Sequence, residues 1–331
     1  MACPSDNFTA SSMNHLKKLR RIPELLAICM GYALVPLLPR RAVVAAARCL
    51  GALAFRVCGR QRRVALANLE LAFGPDMPPD RKTGVVQAMY RIFALIVLDI
   101  FWFGVFTRRR IARWVHTDDS LDVYLKTKPA VVVTAHFGNW EVMGQAVALL
   151  GAPCVSVAAP LDNALVDRLM VRRRTSAGQG VVDQQGAVPA LLNALRKGAN
   201  VALLVDQNVL PQEGGEYVDF FKLPVPMSRA PAVLAQRTGA QVVFLYCIAD
   251  NDGRYTLFGA VPRTDHNSDK GPSELTRAIA DTMQRVIADH PEQWLWIYKR
   301  WKYVPEDRRV DQYPFYARRS RGSRLPAADG T

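Results

Sequence analysis

The feature that most constrains this 331-residue chain is a rhythm that begins near residue 129. Short apolar runs alternate with longer segments of helical period, and glycine or proline punctuates them. AVVVTA (130–135), PCVSVAA (153–159), NVALLVDQ (200–207) and QVVFLYCIAD (241–250) read as strands. A strand buried on both faces carries a continuous apolar run rather than an alternating one. EVMGQAVALLG (141–151), DNALVDRLMVRRRTSAG (162–178), AVPALLNALRKGA (187–199), APAVLAQRTGA (230–240) and PSELTRAIADTMQRVIADHP (272–291) read as helices. GRYTLFGAVP (253–262) reads as an antiparallel partner of 241–250. This alternation predicts an α/β fold with a mostly parallel central sheet flanked by helices. Sites in such sheets lie beyond the carboxyl ends of strands.

Upstream the text differs. An apolar run from Leu25 to Leu38 follows a basic flank and is closed by Arg40 and Arg41. It is short for a span, which needs about 20 residues, and suits an inserted or interfacial helix with cations at lipid phosphates. AVVAAARCLGALAFRVC (42–58) and IFALIVLDIFWFGVF (92–106) add two more apolar stretches, the second around a lone Asp99 and followed by Arg108-Arg109-Arg110. The expected organisation is a basic segment (1–20), a membrane-associated helical region (21–115), an α/β domain (116–305) and a basic, structureless tail (306–331). The net charge of +14 favours an acidic partner: nucleic acid, an anionic membrane face, or an acidic carrier or substrate. Six scattered cysteines without a C-x-x-C pair read as free, buried, reduced thiols.

The strand 130–135 ends on HFGNWE. On one helix, five residues are about 500° apart, so His136 and Glu141 would not share a face. The spacing works if a helix starts between them, with Asn139 as N-cap and Glu141 in the first turn. The glutamate then reaches back to one imidazole nitrogen and the other acts as a general base. First-turn N–H groups supply donors for an oxyanion. These are the parts of an acyl-transfer site, although a loop histidine followed by a first-turn acid reads the same way in isolation.

HFGNWE after a β-run resembles the catalytic block of the bacterial lipid A biosynthesis acyltransferases, a family that includes phosphatidylinositol-mannoside acyltransferases. The more distant glycerolipid acyltransferases end the same motif in Asp. LLVDQNV (203–209), GGEYVDFFKLPVPMSRAPAVLAQRTGAQVV (214–243) and PEQWLWIYKRWK (291–302) are similar to further blocks of the family, in order, over roughly residues 15–303. The chain departs from the pattern at Tyr298, where histidine is common, at Lys222, where glycine is usual, and at Met227-Ser228-Arg229. The resemblance implies a cytoplasmic-face enzyme of the cell inner membrane, with acyl-carrier protein as donor, a lipid acceptor and no cofactor. It implies His136 as base, Glu141 as its orienting acid, and Asp206 in the active site, polarising His136 or holding the acceptor. Asn139, Arg174, Gln207 and Arg229 are the expected substrate contacts.

Direct attack of the hydroxyl on the thioester is expected, since no Cys or Ser sits beside His136 in the motif. No metal is expected, because two histidines and a carboxylate at ligand spacing are not seen. Two other readings stay open. One is a related acyltransferase acting on a lysophospholipid, a glycolipid or a small acceptor. The other is a basic nucleic-acid or anionic-membrane binding protein without catalysis. Nucleic acid is disfavoured because the aromatics do not interleave with the basic clusters.

Overall fold

The computed structural model describes residues 28–158, 163–184, 186–263 and 271–319. The basic segment 1–20, the start of the first apolar run and the end of the tail (320–331) lie outside the described residues. The described residues open with apolar helix α1 (Ile28–Leu37). Then come α2 (Arg40–Val57), α3 (Gly59–Phe73), α4 (Pro79–Trp102) and α5 (Thr107–Trp114). The α/β part follows as β1 (Val115–Thr117), the single turn α6 (Asp122–Leu125), β2 (Ala130–Thr134), α7 (Trp140–Leu149), β3 (Cys154–Ala158), α8 (Ala164–Ser176), β4 (Gly180–Asp183), α9 (Ala187–Arg196) and β5 (Asn200–Leu204). A hairpin, β6 (Gly215–Phe220) and β7 (Leu223–Ser228), precedes α10 (Ala230–Thr238), β8 (Gln241–Ala249), β9 (Tyr255–Ala260) and α11 (Gly271–Asp289).

Seven strands form one sheet in the order β1-β9-β8-β2-β5-β3-β4, and the β8/β9 pair is its only antiparallel neighbour pair among the described residues. All five residues of β2 are buried, as its unbroken apolar run requires. Val131 and Val133 face a core built with Leu191, Leu195, Leu234 and Met283 from α9, α10 and α11. Ala130 and Val132 face the opposite core, with Val142, Ala146 and Val147 from α7. The chain leaves β2 toward β3 and β4 and then returns through β5 to β8 on the other side. That reversal places a crevice beyond the carboxyl ends of β2 and β5.

The upstream helices share both cores with the sheet. Val43, Val44 and Ala47 of α2 and Leu95 and Trp102 of α4 join the α7 side. Val85, Val86 and Met89 of α4 join the other. Helices α2 and α4 touch backbone to backbone: a Cβ on Gly51 would lie 2.6 Å from the Cα of Arg91. At 24 residues α4 is long and apolar enough to cross a membrane, and 39% of its most apolar stretch is buried in the protein. Away from that contact α2 carries exposed Leu50, Leu53 and Val57, and α1 carries exposed Met30, Leu34 and Leu37.

Three features differ from expectation. The hairpin β6–β7 is absent from the sequence pattern because Pro224 and Pro226 sit in β7, and proline argues against a strand except at an edge. The segment 306–319, expected to lack structure, folds back onto the body: Tyr313 is buried, with its hydroxyl donating to Pro224 O (3.2 Å), and β10 (Tyr303–Val304) pairs with β11 (Arg318–Arg319). Aromatic anchors thus override a basic composition there. Of the cysteines, Cys154 and Cys247 are buried, but Cys29 and Cys49 are exposed.

Candidate active site

Strands β2 and β5 run parallel with Thr134 opposite Leu204, and Val205 N donates to Thr134 O at 2.9 Å. His136 and Asp206 each follow that pair by two residues, so the register sets them side by side. Asp206 Oδ1 lies 2.9 Å from His136 Nδ1, and Asp206 Oδ2 accepts from the backbone N–H of His136 (2.9 Å) and from Trp294 Nε1 (3.0 Å). Burial favours the neutral acid, but the His136 charge, both His136 hydrogen bonds and the Trp294 indole prevail and hold the Asp206 pKa below its ordinary value. An ionised Asp206 has only acceptors to offer, so Nδ1 carries the proton and Nε2 of the neutral ring is left as the base. Burial acts to lower the His136 pKa, yet Asp206, by charge and hydrogen bond, and then the charge of Glu141 raise it above the ordinary 6.5.

The histidine loop is clamped by the segment after α11. Gly138 N donates to Gln293 O (2.9 Å), Leu295 N donates to His136 O (3.1 Å), and Phe137 forms an antiparallel bridge with Trp294. Gly138 has φ +52°, and a Cβ there would lie 1.7 Å from Cys247 O, so only glycine fits. Asn139 caps α7, its side-chain oxygen accepting from Val142 N at 3.0 Å. The cap matches the sequence reading. The expected substrate contact does not follow, because Asn139 is 1% exposed and its amide is committed inside the protein.

Glu141 sits in the first turn of α7, as read from the spacing, but its carboxylate does not take the imidazole nitrogen. Asp206 holds that position. Glu141 is gripped instead by the fork of Arg174 on α8, with Nε to Oε2 at 3.2 Å and Nη2 to Oε1 at 2.5 Å. A bidentate guanidinium contact is stronger than a single neutral hydrogen bond, which accounts for the choice. Arg174 therefore enters the site through Glu141. Its neighbour Arg173 turns inward and donates to Asp99 O and Ile100 O of α4, while Arg172 is exposed.

Gln207 is exposed directly after Asp206. Arg229 lies 3.8 Å from Glu216 across the hairpin and, among the described residues, forms no ion pair with Glu141 or Asp206. Tyr298 accepts from Asn208 N at 3.0 Å. Arg300 is fully buried and donates to Asn208 Oδ1 and Pro226 O. Burial pulls its pKa down to about 10 against the opposing charge of Asp206. Trp294, quoted above only within the 291–302 block, was not read from sequence as a partner of Asp206. The signal was the indole donor itself, which needs an acceptor when buried.

The His136 ring meets the edge of Trp140 at 4.8 Å, and Trp140 in turn lines a narrow cavity between α7 and the sheet. Val132, Met143, Val147, Leu203 and Leu245 wall it, and Trp140, Glu141 and Arg174 also line it. Two backbone N–H groups in the first turn of α7, those of Trp140 and Glu141, meet no acceptor among the described residues, whereas those of His136, Gly138, Asn139 and Val142 are all engaged.

The model of the family described as "Bacterial lipid A biosynthesis acyltransferase" matches residues 12–303. The chain belongs to that family. This acyltransferase is 27% identical over 264 residues to the lipid A biosynthesis lauroyltransferase of Escherichia coli (strain K12), a match covering 78% of this chain and 84% of the relative. It is 24% identical to the palmitoleoyltransferase of the same pathway and organism, over 77% of this chain and 83% of the relative. A phosphatidylinositol mannoside acyltransferase of Mycobacterium tuberculosis (strain CDC 1551 / Oshkosh) is 30% identical over 198 residues, 58% of this chain and 61% of the relative. The His136 motif, the Asp206 strand end and the 291–302 clamp of this acyltransferase all lie within the residues the family model matches.

Proposed function

We propose that this acyltransferase moves a fatty acyl group from acyl-carrier protein to a hydroxyl of a lipid A precursor at the cytoplasmic face of the inner membrane. The observation that carries the mechanism is the His136–Asp206 pair, whose imidazole packs on Trp140, a residue that lines an apolar cavity. His136 Nε2 takes the acceptor hydroxyl proton as the oxygen attacks the thioester carbon. The C–O bond forms, the C–S bond breaks, and the proton passes to the departing thiolate. Asp206 keeps Nδ1 protonated and stabilises the imidazolium. The free N–H groups of Trp140 and Glu141 at the positive end of α7 receive the tetrahedral oxyanion. Glu141, fixed by Arg174, adds negative charge that favours the protonated ring. The cavity takes the acyl chain.

Transfer is direct. Burial pushes the Cys154 thiol up to about 11 and the Cys247 thiol up to about 12, so neither is a thiolate nucleophile near neutral pH. The exposed apolar ridge of α1 and α2, flanked by exposed Arg41, Arg48, Arg56 and Arg60, supports docking on an anionic bilayer. A glycolipid acceptor is the second reading, favoured by the 30% identity to the mannoside acyltransferase.

The test is acyl transfer by membranes containing the protein, with labelled acyl-carrier protein as donor. A lipid A precursor, a phosphatidylinositol mannoside and a lysophospholipid are offered separately, with His136→Ala as control. Label on the precursor that vanishes in the variant is the expected result. Label on another acceptor moves the substrate, and undiminished transfer by His136→Ala overturns the mechanism.

A further inference from the structure

One buried polar cluster has no part in the chemistry above. Arg40 of α2, Asp99 of α4, Tyr255 of β9 and Asn139 at the start of α7 converge with 4%, 0%, 0% and 1% exposure. Arg40 donates to both Asp99 oxygens and to Gly253 O, and its guanidinium lies over the rings of Trp102 and Phe103. The Tyr255 hydroxyl donates to Asp99 Oδ2 at 2.5 Å. Asn139 Nδ2 faces Tyr255 Oη at 3.1 Å and Asp99 Oδ2 at 3.4 Å. A buried ion pair is weak support for stability, since an apolar cluster of similar volume would serve as well or better. Its polarity calls for another role.

We propose that Asp99 and Tyr255 are positioning residues for acyl transfer, acting through the orientation of the Asn139 amide. That amide has two orientations related by a half turn. In the observed one, Oδ1 accepts from Val142 N and caps the helix that carries Glu141, while Nδ2 points at two acceptors. In the reversed one, the amide oxygen would face the Asp99 carboxylate, and the NH2 group would face the N–H of Val142. Both contacts are repulsive. Tyr255 adds the closer contact to this selection: by giving its own proton to Asp99 it keeps a lone pair 3.1 Å from Asn139 Nδ2, which would repel the oxygen of a reversed amide. Because Arg40 and Asp99 sit on α2 and α4, the helices outside the α/β sheet thereby fix the phase of the first turn of α7. That phase sets where Glu141 and the free N–H groups of Trp140 and Glu141 lie relative to His136. The consequence for turnover rests on the function proposed above. The cap orientation does not.

The test is Tyr255→Phe, alone and combined with Asn139→Ser. Serine caps a helix through one hydroxyl and has no amide to orient. Against wild type, Tyr255→Phe should lower kcat about fivefold to tenfold, as expected when the cap is weakened and its amide no longer held in one orientation, with KM for acyl-carrier protein within about twofold. Against Asn139→Ser, the same change should leave kcat within about twofold. Hydrogen exchange of the first-turn amides of α7 gives a readout that needs no substrate. It should quicken about tenfold in Tyr255→Phe relative to wild type, and not in the double variant relative to Asn139→Ser. An equal loss of kcat and equal exchange in both backgrounds would show that Tyr255 acts by some route other than Asn139. If the single variant does not fold, the folded double variant decides: kcat and exchange matching Asn139→Ser support the proposal, and a further loss overturns it. If exchange behaves as stated while no acceptor is acylated by wild type, the control of the Asn139 cap by Tyr255 stands and the proposed reaction falls.

Discussion

Replacing Asp206 with asparagine isolates what the carboxylate does, because the geometry dictates how the amide must sit. Oδ2 accepts two N–H groups, the His136 backbone at 2.9 Å and Trp294 Nε1 at 3.0 Å. The amide oxygen has to keep that position, since an NH2 group there would face two donors. The amide nitrogen then takes the place of Oδ1, 2.9 Å from His136 Nδ1, and donates to it. The ring proton moves to Nε2, and the nitrogen facing the acceptor is no longer a base. A wrong tautomer of this kind lowers kcat by about 10⁴ in a serine protease triad, which corresponds to roughly 5.5 kcal/mol of barrier. Exchanging charge-assisted for neutral hydrogen bonds costs about 1–2 kcal/mol of stability, so the fold should persist. The assay is acyl transfer under saturating acyl-carrier protein, with circular dichroism as the check on folding. The expected result is a kcat loss of at least about 10³ at every pH from 6 to 9. A folded Asp206→Asn protein within tenfold of wild type would refute the tautomer reasoning and return Glu141 to the place of orienting acid.

Four further outcomes follow from the structure. The base works only as neutral imidazole, so kcat/KM should fall as pH drops through a midpoint above 6.5, measured across pH 5.5–9. The charged His136–Asp206 pair correspondingly stabilises the fold fully below pH 6.5 and loses that contribution as pH rises through the raised pKa, which denaturant titrations at several pH values will read. Gly138→Ala should destabilise the protein by about 3–5 kcal/mol, combining left-handed strain with the clash on Cys247 O, as read from the urea midpoint. Leu50→Ser together with Leu53→Ser should weaken sedimentation with anionic vesicles at least about tenfold, with little change in Tm, because both side chains are already exposed in the protein alone.

The sequence by itself determined most of the α/β elements and their kind. Apolar runs of strand length, helical periods and Gly or Pro stops are local signals, and 130–135, 141–151, 200–207 and 230–250 fold as those signals say. The Asn139 cap was legible for the same reason, since a capping side chain bonds within three residues of itself. The partner of His136 was not. Asp206 is 70 residues away, and only the parallel register of β2 on β5 brings it to the imidazole. Glu141, five residues from His136, was the nearer choice by spacing, but Arg174 on α8 claims it across 33 residues. The hairpin hid behind two prolines, and the tail hid behind its arginines until Tyr313 found a core to enter. Likewise, Asp99 reads in sequence as a lone charge in an apolar helix, and the fold supplies Arg40, Tyr255 and Asn139 around it. Local backbone preferences are encoded within a few residues, whereas hydrogen bonds between side chains on different elements depend on register and packing. Those are fixed only when the whole chain closes on its core.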